Sequence, residues 1–439
     1  MALTRKPAAP MGWAMGKPIG KIAGSALTTR QFVLLFSAML VTATGNTALQ
    51  SVMPSIGRSL GIADVWIGVA FTSSALAWVI FAPIWARQSD HRGRKTLILL
   101  GLVGFVVSTL LCGIVLLGGL RGVMGAGVTM VAFALVRMLY GIFGCATPAG
   151  TQAYLAAKTR RGARTTALSN LSASFGLGTV IGPALAPLFV LPFLGLTGPL
   201  FMFALAGMLV FAAVWLQLPD DRDRLRRAKA AAMAFPAASP TGASVRAATS
   251  EGKATLRWSD SRIRDWIVSG AITNNALAAL LTVVGFHTID RLALDPVGAE
   301  QQVGLVLMAG AAATLVAQWG LIPRFGWGPR TLVLLGSAIA LAGTLAVMVA
   351  GSLMGLVLAY GLACLGFGLT RPGFTAGASL AVPLTEQGAV AGLTTSVNGF
   401  AFVFAPTLGL ALYGFAPSAP FLLCAGLLGA TLLLYRGRL

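Results

Sequence analysis

Charge is scarce in this 439-residue sequence, and acidic charge most of all. Asp and Glu number 12, His two and Cys four, and charged residues make up 10% of the chain against about 25% in soluble domains. With 56% hydrophobic residues and a mean hydropathy of +0.83, an ordinary soluble enzyme is excluded. The two histidines, His91 and His287, are far apart, and no carboxylate sits at the centre of an apolar run. No nucleophile–base pair or metal cluster can be built from them, so no enzyme, cofactor or metal site is expected. Cys112, Cys145, Cys364 and Cys424 lie in apolar runs without CxxC or Cys/His spacing, which excludes a disulfide framework or zinc site and reads them as small buried hydrophobes. Filter motifs and rings of pore charges are missing too, which argues against a channel.

What is abundant is basic and apolar. Lys and Arg number 32, giving a net charge of +20. In a soluble chain that excess would suggest nucleic acid, but the apolar bulk overrides that reading, and the expected surroundings are a lipid bilayer. A helix needs about 20 apolar residues to cross the hydrocarbon, because each backbone N–H and C=O must be satisfied within its own segment. Twelve runs qualify, at 31–54, 65–87, 96–119, 124–150, 166–192, 199–218, 265–290, 301–323, 331–350, 353–379, 389–413 and 418–435. The fold expected is therefore an all-α membrane protein of twelve transmembrane helices.

The basic residues set its orientation. With the N-terminus inside, 27 of the 32 Lys and Arg fall in inner segments, and the outer loops keep Arg58, Arg121 and Arg291. Both termini are thus expected in the cytoplasm, with residues 1–30 a cytoplasmic tail rather than a signal peptide. Residues 219–264, polar and rich in Ala, Pro, Ser and Thr, read as a cytoplasmic linker between six-helix bundles at 31–218 and 265–439. The bundles look related. GRKTLILLG at 93–101 and GPRTLVLLG at 328–336 share six of nine residues, and Gly176, Pro183 and Ala186 stand opposite Gly399, Pro406 and Gly409. Repeats of this kind place a small-molecule site between the halves near the midplane, reached by rocking one bundle against the other. One chain suffices for such a cavity, so a monomer is expected.

Three motifs sharpen the reading. The connection after the second run is Ala86-Arg87-Gln88-Ser89-Asp90-His91-Arg92-Gly93-Arg94-Lys95. Gly93 permits a tight turn, and Asp90 can cap a neighbouring helix or pair with Arg94. The stretch resembles the signature loop of the major facilitator superfamily, Gly-x-x-x-Asp-Arg-x-Gly-Arg-Arg/Lys, with Ala86 and His91 as departures. The fourth run carries Arg137-Met-Leu-Tyr140-Gly141, similar to the Arg-x-x-Gln-Gly pattern of the twelve-helix drug:proton antiporter branch. The fifth carries Gly178-Thr-Val-Ile-Gly182-Pro183-Ala-Leu-Ala186, similar to the Gly-x-x-x-Gly-Pro-x-x-Gly pattern of exporters. The resemblance implies a major facilitator fold in two pseudo-symmetric bundles, proton-coupled efflux of small amphipathic compounds across a bacterial inner membrane, and gating or proton coupling by Asp90, Arg94 and Arg137. Gly93, Gly178, Gly182 and Pro183 would be its conformational motif. A dedicated exporter or importer of an anionic or zwitterionic metabolite or siderophore is the alternative.

A guanidinium inside a span costs about 2.5–3.5 kcal/mol on insertion scales, so Arg137 should face a cavity or a partner. Arg371, about two turns from the inner end of the tenth run, either contacts solute or snorkels to the interface. No span offers a central acid, and the first has Asn46, Thr47 and Gln50 in its place. His287 and Asp290, three residues apart and so on one helix face, are the nearest proton carriers, unless they only mark a helix end. Asn46, Gln50, Tyr140, Asn274, Asn275, Tyr360, Arg371 and Asn398 complete the expected cavity, which suits a neutral, zwitterionic or anionic solute better than a permanent cation.

Overall fold

The computed structural model describes residues 27–159, 171, 174, 177–220, 258–295, 298–382 and 387–436. The tail before residue 27 and nearly all of the 219–264 linker lie outside the described residues. Twelve helices follow in chain order: α1 Thr29–Ser59, α2 Asp64–Arg92, α3 Arg94–Leu120; α4, built from Ala126–Leu139, a π-helical turn Tyr140–Gly144, and Ala146–Lys158; α5 Leu177–Phe189 and α6 Gly198–Gln217. After the linker come α7 Arg264–Arg291, α8 Glu300–Phe325, α9 Pro329–Val349, α10 Leu353–Leu380, α11 Gln387–Phe415 and α12 Ala419–Arg436. Nine of these described helices are long and apolar enough to cross a membrane, and three contribute shorter apolar stretches.

Local signals account for the ends. Thr28 and Gln31 form a reciprocal capping box at the start of α1, a device that stabilises a helix end by about 1 kcal/mol. Ser352 accepts from the Gly355 N–H at 3.2 Å to start α10. Ahead of α7, Arg262 grips the half-buried Asp260 through Nε at 3.1 Å and Nη2 at 2.8 Å, which holds that carboxyl below its ordinary range. Gly93 separates α2 from α3 with φ of +90°, a conformation that costs an L side chain strain and glycine none. Two helix limits differ from expectation. The segment Ala86–Arg92 is the last part of α2 rather than a loop, and Arg58 lies in the last turn of α1 rather than beyond it. Polar residues continue a helix past the hydrocarbon boundary because the backbone still needs partners there.

Small residues set the packing, as expected where lipid removes any hydrophobic drive between helices. A Cβ on Gly207 of α6 would meet the Phe105 ring of α3 at 2.8 Å, and one on Gly366 of α10 would meet the Ala340 Cα of α9 at 2.8 Å. α2 lies along α11, α1 against α7 and α8, and α5 against α8, so the two sets of six helices share one hydrophobic core. α1 starts and α12 finishes at the same end of the bundle, the terminal end. The opposite, distal end gathers the close of α1, α7 and α11 and the start of α2, α8 and α12.

Candidate substrate and gating sites

Arg137 is 4% exposed in the middle of α4. Its Nη2 donates to the Asn46 Oδ1 of α1, and its guanidinium lies 4.6 Å from the Tyr140 ring and 5.5 Å from the Phe71 ring of α2. Both are cation–π distances. Its Nε has no partner among the described residues. Trp78 and Phe105 flank Tyr140 at 5.5 and 6.0 Å. The π-turn begins at Tyr140, and the Trp85 Nε1 donates at 2.6 Å to Ile142 O within it, serving a carbonyl released from the regular ladder. Among the described residues no ion pair involves Arg137. The centre of the first half is thus a cation set among rings and one amide, with several donors unused.

The remaining expected cavity residues divide. Gln50 lies one turn beyond Asn46 on α1, half-buried. Asn274 of α7 is buried, and Asn275 turns back on its own helix to donate to Ala271 O at 2.8 Å. Arg371 of α10 is exposed. Tyr360 of α10, 2% exposed, packs on Gly310 of α8. The side chains of Asp90 and Asn398 lie outside the described residues. Arg94 opens α3, half-buried.

The glycines of α5 serve close approach. A Cβ on Gly178 would meet Leu40 O of α1 at 2.9 Å, and one on Gly182 would meet Thr44 O at 2.5 Å. The Thr47 hydroxyl also donates across to Gly178 O at 3.2 Å. On its other side, α5 brings Pro183 O against Gly304 of α8, where an added Cβ would stand 2.9 Å away. The motif therefore lies between a neighbour in its own half and a helix of the other half. Gly182→Val is expected to push α5 off α1 and lower the melting temperature by several degrees, corresponding to about 1–3 kcal/mol of overpacking. An unchanged melting curve in detergent would remove the packing role.

The distal end holds a constellation that the linear pattern does not reveal. Arg58 Nη2 of α1 lies 2.9 Å from Asp64 Oδ2 of α2 and 2.7 Å from Asp290 Oδ2 of α7. The Tyr413 hydroxyl of α11 donates to the same Asp290 oxygen at 2.9 Å. Deeper in, Thr72 and Thr407 share a hydrogen bond at 2.8 Å. Close by, a Cβ on Gly68 would stand 2.8 Å from the Thr407 Cα and 2.9 Å from Pro406 O. A cleft of about 430 Å³ opens beside the cluster, bordered by Arg58, Ala63, Asp64, Leu410 and Gly414. At the terminal end, by contrast, the contacts of Arg30 with Gln217, Lys95 with Trp215 O and Arg330 with Tyr435 O each stay within one half. The halves are closed on one another at the distal end.

His287 and Asp290 both reach that end, and they make different hydrogen bonds while sharing Tyr413 as a neighbour, its ring 6.1 Å from that of His287 and its hydroxyl on Asp290. His287 Nε2 meets Val347 O of α9 at 3.1 Å, its ring 4.6 Å from that of Phe421, while Asp290 turns to α1 and α11. A three-residue step rotates a helix by about 300°, enough to aim them at different neighbours. Arg58, Asp64 and Tyr413 were not among the expected site residues. The signal available was the rarity of charge at that end, where each ion must find a counter-ion or water.

The likenesses to known proteins can be set on this geometry. The chain is 29% identical to the staphyloferrin B transporter of Staphylococcus aureus over 157 residues, 35% of this chain and 34% of that protein. It is 30% identical to multidrug resistance protein 1 of Bacillus subtilis over 152 residues, 35% of this chain and 36% of that protein. The chain thus spans about a third of the length of the curated relatives it matches. Among solved structures, the human organic anion transporter MFSD10 (TETRAN) superposes with a TM-score of 0.62 at 18% identity, over 93% of this chain and 99% of that one. The inward open conformation of the xylose transporter XylE from E. coli gives 0.66 at 13% identity, over 92% and 95%. Similarity at these identities speaks to the fold alone. The Major Facilitator Superfamily pattern matches from residue 35 to residue 406, from the first helix into the eleventh, and the chain belongs to that superfamily.

Proposed function

We propose that this transporter exports small amphipathic compounds from a bacterial cytoplasm by alternating access, driven by protons, and that its cavity favours neutral, zwitterionic or anionic solutes. The observation that carries the reading is Arg137, a buried cation with ring and amide neighbours and no ion pair among the described residues. A permanent cation would meet uncompensated like charge there, whereas a carboxylate or an electron-rich ring would meet unused donors. The names of the relatives, multidrug resistance proteins on one side and a siderophore transporter on the other, support efflux of organic solutes.

The bodies that rock are residues 31–218 and 265–439, with both termini cytoplasmic and the chain a monomer. The distal end is then the outer face, and the closed distal contacts correspond to a carrier facing the cytoplasm. Asp90, Gly93 and Arg94 secure the inner face when the carrier turns outward. The alternative, a transporter dedicated to one anionic or zwitterionic metabolite or siderophore, shares the same arginine and differs in breadth.

The test is accumulation of a fluorescent amphipathic dye and of its anionic analogue in inverted vesicles, with and without an imposed proton gradient. Gradient-dependent accumulation of either is the expected result, faster for the anionic analogue. If neither moves under any gradient, broad export is excluded and a narrow metabolite carrier takes its place.

A further inference from the structure

Two carboxylates share one guanidinium nitrogen at the distal end, leaving the cluster of Arg58, Asp64 and Asp290 with one negative charge in excess. The two acids are not equivalent. Asp290 Oδ2 accepts from both Arg58 and Tyr413, and its side chain is 41% exposed. Asp64, with a side chain 10% exposed, meets Arg58 only through Oδ2. Its Oδ1 is buried and has no hydrogen-bond partner among the described residues. A buried carboxylate oxygen without a donor is costly, and a proton on it removes both that cost and the excess charge.

The arrangement exists only when the halves meet. Arg58 and Asp64 belong to the first set of helices, Asp290 and Tyr413 to the second. If the distal end opens, Asp290 leaves with α7, and Arg58 and Asp64 remain as a neutral pair in water, where Oδ1 can be hydrated. We propose that Asp64 takes up a proton as the distal end closes, making it a proton-binding site of the outer gate that lies apart from the central cavity. The proton comes from the water bathing that end and settles on Oδ1, the buried oxygen without a donor among the described residues.

The other groups at this end are engaged elsewhere or stand on other segments. Arg291 donates to Val349 O, at the end of α9, and to Ala350 O just beyond it, and His287 is held on Val347 O. Asp295 and Glu300 belong to the connection into α8 and its first turn, and the charges that act on Asp64 are those of Arg58 and Asp290. Because the closed form binds the proton more tightly, acid on the distal side favours closure and alkali favours opening. This rests on the orientation proposed above. With the outer side acidic, proton uptake then returns the unloaded exporter to its cytoplasm-facing form.

The test measures the gate without any solute. In the full chain in liposomes, spin labels at Ala63→Cys and Gly414→Cys flank the cleft, and the native cysteines are buried. In the parent, the ratio of the short to the long distance should rise several-fold from about pH 8 to about pH 5, up to about tenfold for each unit by which the two forms differ in proton affinity. Asp64→Asn should give the short distance at every pH, and Asp64→Glu should restore the pH response. Should Asp64→Asn not fold, Asp290→Asn answers the same question: without the second carboxylate only the buried Oδ1 favours the proton, so closure should require more acid than in the parent, and an unchanged midpoint overturns the proposal. A parent that does not respond to pH, or an Asp64→Asn variant that titrates as the parent does, overturns the proposal. A protein that closes with acid yet moves neither dye keeps this site and loses the export reading. Proton-driven export with distances insensitive to pH does the reverse.

Discussion

Arg137→Ala is expected to abolish transport while leaving insertion intact and the melting temperature unchanged or raised. The two effects have opposite signs for one reason. Holding a guanidinium at 4% exposure in mid-span costs about 2.5–3.5 kcal/mol on insertion scales, and the return seen among the described residues is one hydrogen bond to Asn46 and two ring faces. Alanine removes that cost and leaves Asn46 as a neutral amide, so the fold loses little. Solute binding loses its only buried cation among the described residues of the first half, and transport should fall to background. Arg137→Lys keeps the charge but loses the planar fork and should fall nearly as far. Counterflow in proteoliposomes beside a thermal melt checks both signs. Parental rates in the alanine variant would exclude Arg137 from the transport path, and a melt lowered by many degrees would make it a structural residue.

Gly68→Val is expected to hold the distal end apart and stop turnover. A Cβ at this position would stand 2.8 Å from the Thr407 Cα and 2.9 Å from Pro406 O, backbone atoms that cannot swing aside as a side chain can. The clash exists only where α2 lies on α11, so the variant should fold and insert in the form in which these helices part. Thr407→Cys, introduced alongside, should then react with a charged thiol reagent added to the distal side, at a rate at least tenfold above that in the parent background. Equal labelling rates with normal transport would show that α2 and α11 do not close in turnover.

How far the molecule could be read from its sequence depended on how local each determinant is. Hydrocarbon imposes its own length scale, so the apolar runs came out in number and order, and the +90° glycine at 93 marked a helix junction. Arg137 stood out because a charge in a span is costly wherever it sits. The ends of α1 and α2 ran longer than their apolar stretches, since helix continues into the polar boundary where hydropathy carries no signal. The distal cluster was hidden for a different reason. Arg58 and Asp290 are 232 residues apart, and nothing near either announces the other. Spacing put His287 and Asp290 on one helix, but their partners, α9 and α12 for the first, α1 for the second and Tyr413 of α11 for both, are tertiary.

The π-helical turn at Tyr140–Gly144 bears on how the chain can change length. A wide turn amounts to one residue inserted into an α-helix: its five residues turn by about as much as four α-helical ones, about 400°, so the helix on either side keeps its phase. Deleting a single residue there would restore the regular ladder, keep Gly150 packed on Ile98 and Arg94 O of α3, and take from Trp85 the carbonyl it serves. A deletion elsewhere in α4 would instead turn everything after it by about 100°. The odd residue is therefore slack in the register: single-residue deletions in α4 should be tolerated at the bulge and should undo the packing of the second part where they fall elsewhere.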